Sequence, residues 1–191
     1  MVDGLILAAG AGSRYGRSPK LLADLGGRPV LQHAIEAQCS VAELERSVVV
    51  LGAHADEILD AVDFMRAQPV VCERWRHGMS ASLRCGVEAL GDAERVVITL
   101  GDEPLMTPEI IARFLHAPPG TRATYDGQPG HPVVFGPQQL RAIRVLRGDR
   151  GARELLRGGP TIECGDLGTR GDVDTLADLA AIRSSVGYNL E

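Results

Sequence analysis

The sequence predicts an α/β fold in three layers, with a mainly parallel, twisted sheet between two layers of helices. Two observations lead to this prediction. Over the first 116 residues, apolar β-branched segments alternate with helical patterns, which is typical of βαβ units. In addition, residues 48–51 (VVVL) and 96–100 (VVITL) are continuously apolar, as expected for strands that helices cover on both faces.

The individual elements follow from the same patterns. The strands are predicted at Val2–Leu7, Ser47–Leu51, Pro69–Cys72, Arg95–Leu100, Ala123–Tyr125, His131–Phe135 and Thr161–Cys164. The helices are predicted at Val30–Cys39, Ala55–Val62, Ser80–Leu90, Pro108–His116, Pro137–Val145, Gly151–Leu156 and Asp174–Ser184. Ser80 is the expected N-cap of its helix, and Asp174 or Thr175 that of the last helix. The turn-rich DGQPG between two late strands predicts a small hairpin at the sheet edge.

The chain length and the net charge limit the classes of protein to which this sequence can belong. A chain of 191 residues is expected to form a single domain, residues 1–191, with a sizeable core. The net charge of −5 argues against a nucleic-acid or anionic-membrane partner. No apolar run approaches the length of a membrane span. The first ten residues, MVDGLILAAG, lack a basic region and indicate a core strand rather than a signal peptide, so we expect a cytoplasmic protein.

The four cysteines, Cys39, Cys72, Cys85 and Cys164, are expected to be free thiols. None belongs to a CxxC pair, and the nearest two are thirteen residues apart, which argues against a zinc site. In a reducing cytoplasm such residues are typically buried or partly buried thiols.

The chain contains 19 arginines and a single lysine, Lys20. Wherever a generic positive charge suffices, this sequence uses arginine. Lys20 therefore indicates a position that requires a compact ammonium rather than a planar guanidinium.

Lys20 ends a glycine-rich loop that follows the first predicted strand, LAAGAGSRYGRSPKLL at residues 7–22. Glycines allow a backbone to approach phosphates closely, and Arg14 and Lys20 add positive charge. The loop fits neither of two well-known phosphate motifs. The third glycine of a dinucleotide fingerprint comes one residue late, and Arg17-Ser18 stands where a P-loop has Lys-Ser or Lys-Thr.

A second candidate segment is the acidic turn GDEP, which follows the fourth strand and contains Gly101 and Asp102. In sheets of this kind, ligands bind outside the carboxyl ends of the strands. A carboxylate at that point, beside a phosphate-binding loop, is suited to Mg²⁺, which would neutralise charge during phosphoryl transfer.

Three further segments carry polar residues at predicted turns and helix starts. Residues 75–86 (WRHGMSASLRCG) open a helix, whose N-terminus suits an anion or a polar base edge. GQPGHP contains His131, which either contacts an acceptor phosphate or occupies a tight turn, and GDRGAR contains Asp149 and Arg150. In GDVDT, Asp172 and Asp174 point the same way if the segment is extended, and either would share a metal with Asp102.

Six of these motifs, in this order over residues 4 to 184, resemble the nucleotidyltransferases with a GT-A-like sheet, a Rossmann-like fold. Within them, the similarity is to the NTP transferases that mature the molybdenum cofactor. The resemblance implies that Arg14 and Lys20 bind the triphosphate and act in catalysis with Asp102. It also implies that Asp102 and Asp174 hold Mg²⁺, with Asp172 as the alternative to Asp174. His131, Asp149 and Arg150 fall on the acceptor side. The implied nucleotide-binding residues are Leu7, Ala8, Ala9, Gly10, Gly12, Ser13, Arg14, Lys20, Gly78, Met79, Ser80, Ser82, Gly101 and Asp102.

The resemblance also implies a reaction. An NMP group would pass from an NTP to a phosphorylated acceptor, and pyrophosphate would leave. The LAAG loop and the GMSASLRCG segment resemble the CTP-using branch, so CTP is favoured over GTP. The implied acceptor is the phosphate of molybdopterin, with a molybdoenzyme as client of the product.

Other functions stay open at this point. They are a guanylyltransferase for the same cofactor, a transferase acting on a sugar, polyol or phospholactate phosphate, and a non-catalytic nucleotide-binding cofactor chaperone. The sequence does not determine the identity of the acceptor, because acceptor loops vary most in such folds.

Overall fold

A mixed seven-stranded sheet forms the centre of the computed structural model, which describes residues 1–16, 18–146 and 152–187. The strands are β1 (Asp3–Ala8), β2 (Asp24–Leu25), β3 (Arg28–Pro29), β4 (Ser47–Leu51), β5 (Gln68–Val71), β6 (Val96–Leu100), β7 (Arg122–Tyr125), β8 (Gln128–Phe135) and β9 (Thr161–Glu163). The helices are α1 (Val30–Cys39), α2 (Ala55–Ala61), α3 (Met79–Ala89), α4 (Pro108–Phe114), α5 (Pro137–Val145) and α6 (Leu176–Ser185). Short 3₁₀ turns occur at Lys20–Leu22, Trp75–His77 and Ala152–Glu154.

The strand order is β5-β4-β1-β6-β8-β7-β9, and β2 and β3 form a separate ribbon. Strands β5, β4, β1 and β6 are parallel, so their carboxyl ends lie at one edge of the sheet. Only β8 pairs antiparallel with both of its neighbours, and β9 is parallel to β7. The mainly parallel α/β architecture is confirmed.

Helices cover both faces of the sheet because successive residues of each central strand point to opposite sides. On β1, Leu5 belongs to a cluster that includes Leu83 of α3 and Ile143 of α5. The next residue, Ile6, belongs to a cluster on the other face that includes Ile35 of α1 and Ile58 of α2. All six side chains are essentially inaccessible. Each such side chain stabilises the fold by about 1.5–3 kcal/mol through burial.

The predicted hairpin exists, but it is not the outermost part of the sheet. β7 and β8 pair antiparallel across Tyr125 and Gln128, and β8 begins three residues earlier than predicted. The short strand β9 adds beyond β7 by parallel pairing, for example Ala123 with Ile162, and so forms the edge. Sequence patterns do not show this because the pairing joins segments that are far apart in the chain.

Two helix predictions need correction. The expected helix Gly151–Leu156 is a 3₁₀ turn over the described residues Ala152–Glu154. Helix α3 starts at Met79 with Gly78 at its N-cap, so Ser80 lies inside the first turn, where it is fully buried and does not cap the helix.

The last helix begins two residues later than predicted. Its N-cap is Thr175, one of the two expected, whose Oγ1 accepts a hydrogen bond from the Asp178 N–H at 3.2 Å.

Within the described ranges, no helix combines the length and the apolar character that crossing a bilayer requires.

The expectation of four free thiols is wrong for two cysteines. Cys72, directly after β5, and Cys85, in α3, form a disulfide with their Cα atoms 5.9 Å apart. Cys39 and Cys164 are free and buried. The pairing arises because α3 packs against the sheet beside the end of β5, which brings together residues thirteen apart in sequence. No short motif signals such a contact.

We expect reduction of the Cys72–Cys85 disulfide to lower the free energy of unfolding by about 3 kcal/mol, because reduction frees a loop of this length in the unfolded chain. Chemical denaturation with and without reductant measures the change. In the Cys85→Ser variant, reductant should have no further effect. A thiol titration of the denatured, unreduced protein should find two thiols, and four would contradict the disulfide.

Candidate active site

The predicted polar segments meet at the carboxyl edge of the parallel strands. The glycine loop leaves β1 after Ala8, and the acidic turn leaves β6 after Leu100. The Val173 N–H donates a hydrogen bond to the carbonyl oxygen of Asp102 at 2.9 Å. This bond joins the segment before α6 to the top of the sheet, although Asp102 and Val173 are 71 positions apart in the chain.

The ammonium of Lys20 lies between two carboxylates. Its Nζ is 2.5 Å from Oδ2 of Asp102 and 3.0 Å from Oδ1 of Asp174. Arg14 Nη2 contacts the other oxygen of Asp174 at 2.9 Å. The Lys20 side chain is only 10% exposed, whereas that of Arg14 is 73% exposed. The four residues predicted for the triphosphate and the metal are therefore one connected cluster of charges.

The electrostatics of Lys20 follow from this position. Burial lowers the pKa of Lys20, but the carboxylates of Asp102 and Asp174 raise it by more, so that the net shift is upward. Lys20 thus stays charged at physiological pH although it is nearly enclosed.

Close packing of the loop explains one of its glycines. Gly12 has φ +60°, and a Cβ there would lie 3.1 Å from Lys20 Cγ. A side chain at residue 12 would press on the lysine stem. The neighbouring Gly10 and Ser13 are exposed, whereas Ala8 and Ala9 are buried beneath the loop. The predicted nucleotide-binding loop therefore presents an open surface directly above the charge cluster.

The segment that precedes α3 lies beside this loop. A Cβ at Gly52, after β4, would lie 2.6 Å from the carbonyl oxygen of Ala9 and 2.7 Å from Trp75 Cβ. The guanidinium of Arg76 stacks over the Trp75 ring at 4.7 Å from its centroid. Met79 is half exposed, and the buried Oγ of Ser80 has no hydrogen-bond partner among the described residues. The sheet edge thus carries the glycine loop after β1 and the α3 segment after β5, with Gly52 after the intervening strand β4 between them.

The two alternative metal ligands, Asp174 and Asp172, have different partners in the structure. Asp174 shares the Lys20 ammonium with Asp102, whereas Asp172 Oδ2 accepts a hydrogen bond from Arg170 Nη2 at 3.2 Å. Asp102 and Asp174 supply oxygens within 3.0 Å of one common point, Lys20 Nζ. Hard cations such as Mg²⁺ are often held by one or two carboxylates together with substrate phosphates. The residues present fit such an ion.

The described residues contain no group of three or more His, Cys, Asp and Glu side chains arranged to hold a metal without help. A two-carboxylate site therefore needs further ligands, which phosphate oxygens and water provide in magnesium sites of this kind.

His131 forms part of a second polar cluster next to the first. Its Nδ1 lies 3.1 Å from Oε1 of Glu103, the residue that follows Asp102. Tyr125 Oη donates a hydrogen bond to the His131 carbonyl oxygen at 2.7 Å and holds the strand in place. His131, Glu103 and Arg170 line a small cavity of about 10 Å³. The predicted acceptor residues Asp149 and Arg150 lie outside the described residues.

The pKa shifts in this second cluster reflect crowding of carboxylates. Burial lowers the pKa of His131, but Glu103, with Asp102 and Asp172 nearby, raises it above its ordinary value. Burial raises the pKa of Glu103. Both shifts favour the protonated form, so each member of the pair holds its proton to a higher pH than it would in water.

Sequence reasoning missed Glu103 and Arg170. Glu103 belongs to the GDEP turn, and a charged residue directly after the predicted metal ligand Asp102 was the available signal. Arg170 is one of 19 arginines, so its residue type does not mark it as part of a site.

The fold and the site together are those of an NTP transferase. The chain belongs to the MobA-like NTP transferase family, whose domain model matches residues 4–164. It is therefore a nucleotidyltransferase, in agreement with the resemblance seen in its motifs.

Several known proteins are similar to this chain over nearly its whole length. The chain is 33% identical over 193 residues to nicotine blue oxidoreductase of Paenarthrobacter nicotinovorans, which covers 93% of this chain and 94% of the relative. The crystal structure of Rv0371c from Mycobacterium tuberculosis H37Rv superposes with a TM-score of 0.83 at 26% identity, over 95% and 96% of the two chains. A structure of Rv0371c in complex with manganese gives a TM-score of 0.79 at 25% identity, over 96% and 98%.

A nucleotidyl transferase from Methanothermobacter shares the fold with a TM-score of 0.80 at 24% identity, over 99% of each chain.

Proposed function

We propose that this nucleotidyltransferase transfers CMP from CTP to the phosphate of molybdopterin and releases pyrophosphate, in a reaction that depends on Mg²⁺. The observation that carries the proposal is the cluster in which Lys20, at the end of the glycine loop, bridges Asp102 and Asp174. This cluster combines cations for a polyphosphate with a carboxylate pair for a divalent ion.

The chemistry needs no covalent enzyme intermediate. An oxygen of the acceptor phosphate forms a bond to the α-phosphorus of the nucleotide, while the bond from that phosphorus to the bridging oxygen of pyrophosphate breaks. Lys20 and Arg14 would neutralise the departing pyrophosphate. Mg²⁺ held by Asp102 and Asp174 would withdraw charge from the α-phosphate. Because the attacking phosphate is already ionised, no general base is required.

The choice of CTP rests on the loop and on α3. The sequence LAAG at residues 7–10 and the segment from Gly78 to Gly86 resemble the CTP-using branch. Gly52 lies between Ala9 of the LAAG segment and Trp75, which precedes the Gly78–Gly86 segment, and this proximity supports a shared role of the two segments in base binding. A guanylyltransferase for the same cofactor is the alternative.

The choice of molybdopterin rests on the family resemblance. A sugar, polyol or phospholactate phosphate is the alternative acceptor. An intracellular molybdenum hydroxylase is the client that we propose for the dinucleotide product, and we place the reaction in the cytoplasm.

A second candidate function comes from one relative. The chain shares 33% identity over nearly its whole length with a protein named nicotine blue oxidoreductase. As an oxidoreductase, this chain would use Arg14 and Lys20 for the phosphates of a nicotinamide dinucleotide. The carboxylate pair Asp102–Asp174 has no evident role in hydride transfer, which favours the transferase.

We expect CTP to bind more tightly than GTP in the presence of Mg²⁺, because the loop and α3 segments resemble those of cytidylyltransferases. Equilibrium titration calorimetry with both nucleotides measures the difference. Pyrophosphate release upon addition of acceptor then tests transfer itself. Tighter binding of GTP would assign the protein to the guanylyl branch. Reduction of a dye, with a nicotinamide dinucleotide as electron donor and without release of pyrophosphate, would favour the oxidoreductase.

We expect Asp102→Asn to lose about 10²-fold or more in kcat with the fold retained, because the amide removes a charged ligand that would stabilise the transition state through Mg²⁺. Steady-state pyrophosphate release and thermal unfolding measure the two quantities. The matched control is Asp166→Asn, which alters an exposed aspartate paired with Arg113 on the surface. Activity within a few-fold of the wild type would refute the metal-binding role of Asp102.

A further inference from the structure

The segment that joins β5 to α3 has little packing of its own. None of the residues 73–79 is buried, whereas Cys72, directly before them, is buried. The ion pair of Arg74 Nη2 with Glu88 Oε2, at 3.0 Å, lies on the surface and contributes little. The covalent connection between this segment and the middle of α3 is the disulfide of Cys72 with Cys85. The position of the segment therefore depends on that bond.

A short chain of contacts leads from the disulfide to the glycine loop. The Trp75 N–H donates a hydrogen bond to the Cys72 carbonyl oxygen at 3.0 Å. The Trp75 side chain packs against Gly52, where a Cβ would lie 2.7 Å from Trp75 Cβ. The next residue, Ala53, donates its N–H to the Ala9 carbonyl oxygen of the loop at 3.2 Å. A movement of Cys72 would therefore reach the loop through adjoining contacts.

The surroundings of the disulfide suit both of its redox states. Cys85 is partly exposed, whereas Cys72 is only 1% exposed, so an attacking thiolate reaches Cys85 first. Cys72 Sγ lies 3.6 Å from the Ala81 carbonyl oxygen in the first turn of α3, and after reduction its S–H can donate a hydrogen bond there. Reduction would therefore release the covalent constraint without leaving a buried S–H unpaired.

We propose that Cys72 and Cys85 form a site of thiol–disulfide exchange, and that the closed disulfide strengthens nucleotide binding. The reaction partner is a dithiol for reduction and a disulfide for oxidation. In the cytoplasm, where we place the protein, disulfides are typically transient and either catalytic or redox-sensing. A constrained α3 segment and loop lose less conformational freedom on binding than mobile ones. The inference rests on the proposed position of the base beside α3.

Reduction proceeds in two steps and transfers two electrons. A thiolate of the dithiol bonds to Cys85 Sγ, and Cys72 leaves as a thiolate that takes up a proton. The second thiolate of the dithiol then bonds to its partner sulfur in the mixed disulfide, and Cys85 leaves and is protonated in turn. The dithiol is oxidised to a disulfide, and both protons come from its two thiols.

The first test is whether a dithiol reduces the bond in the folded protein, with dithiothreitol as the probe. We expect the thiols counted after quenching and denaturation to rise from two to four, while circular dichroism shows that the helices are retained. An alkylating reagent should then label Cys85 faster than the buried Cys72. A disulfide that is reduced only when the protein unfolds would overturn the inference.

The second test is titration calorimetry with Mg²⁺ and either CTP or GTP. We expect the reduced protein to bind its nucleotide at least about fivefold more weakly than the oxidised protein, which is the lower end of typical couplings between sites. Cys85→Ser should have the weaker affinity with and without reductant. Cys39→Ala, which removes a buried free thiol in α1, should keep the full response to reductant. Equal affinity of oxidised and reduced wild type would contradict the proposal.

Hydrogen exchange without nucleotide separates this inference from the proposed function. Reduction should speed amide exchange in residues 73–79 and at Ala53, and should leave α1, which packs on the other face of the sheet, unchanged. Binding of GTP rather than CTP would refute the choice of CTP, and the redox response is then measured with GTP. If neither nucleotide binds, the proposed function fails and exchange at Ala53 decides the inference, because a faster rate supports it and an unchanged rate overturns it.

Discussion

The ammonium of Lys20 between Asp102 and Asp174 is the interaction on which the site depends. It joins three segments that are distant in the chain, namely the end of the glycine loop, the turn after β6 and the segment before α6. Two carboxylates this close to one point repel each other unless a cation lies between them. The Lys20 ammonium supplies that cation in the structure.

The choice of lysine at this place contrasts with the use of arginine elsewhere. Arg66 donates hydrogen bonds to three carbonyl oxygens, those of Cys39, Val41 and Leu44, at 2.6–2.9 Å, and thereby satisfies backbone groups where α1 ends. A planar fork suits such divergent acceptors. Between two converging carboxylates, beside the positive-φ Gly12, a compact point charge fits better. The single lysine is explained by local geometry rather than by charge.

The two polar clusters arrange charge in opposite ways. At Lys20 the cation is enclosed and the carboxylates are more exposed, which suits an incoming metal ion. At His131 and Arg170 the cations are more exposed than their carboxylate partners. The turn Asp102-Glu103 contributes one carboxylate to each cluster. Adjacent residues of one turn therefore belong to clusters with opposite arrangements of exposed charge.

The sequence by itself determined the layered α/β architecture, because apolar β-branched runs must be buried on both faces of a parallel sheet. It also predicted that the glycine loop, which ends at Lys20, and the turn that contains Asp102 lie at one edge of the sheet, since each segment follows a strand of the parallel part. Local rules sufficed for these predictions.

Only the tertiary structure decided the rest. Asp172 and Asp174 are chemically identical and two residues apart, and their different partners, Arg170 and Lys20, follow from the path of the chain into α6. The Cys72–Cys85 disulfide and the pairing of Glu103 with His131 likewise join residues from separate elements. Contacts of this kind depend on the packing of whole helices and strands, and no local sequence pattern encodes them.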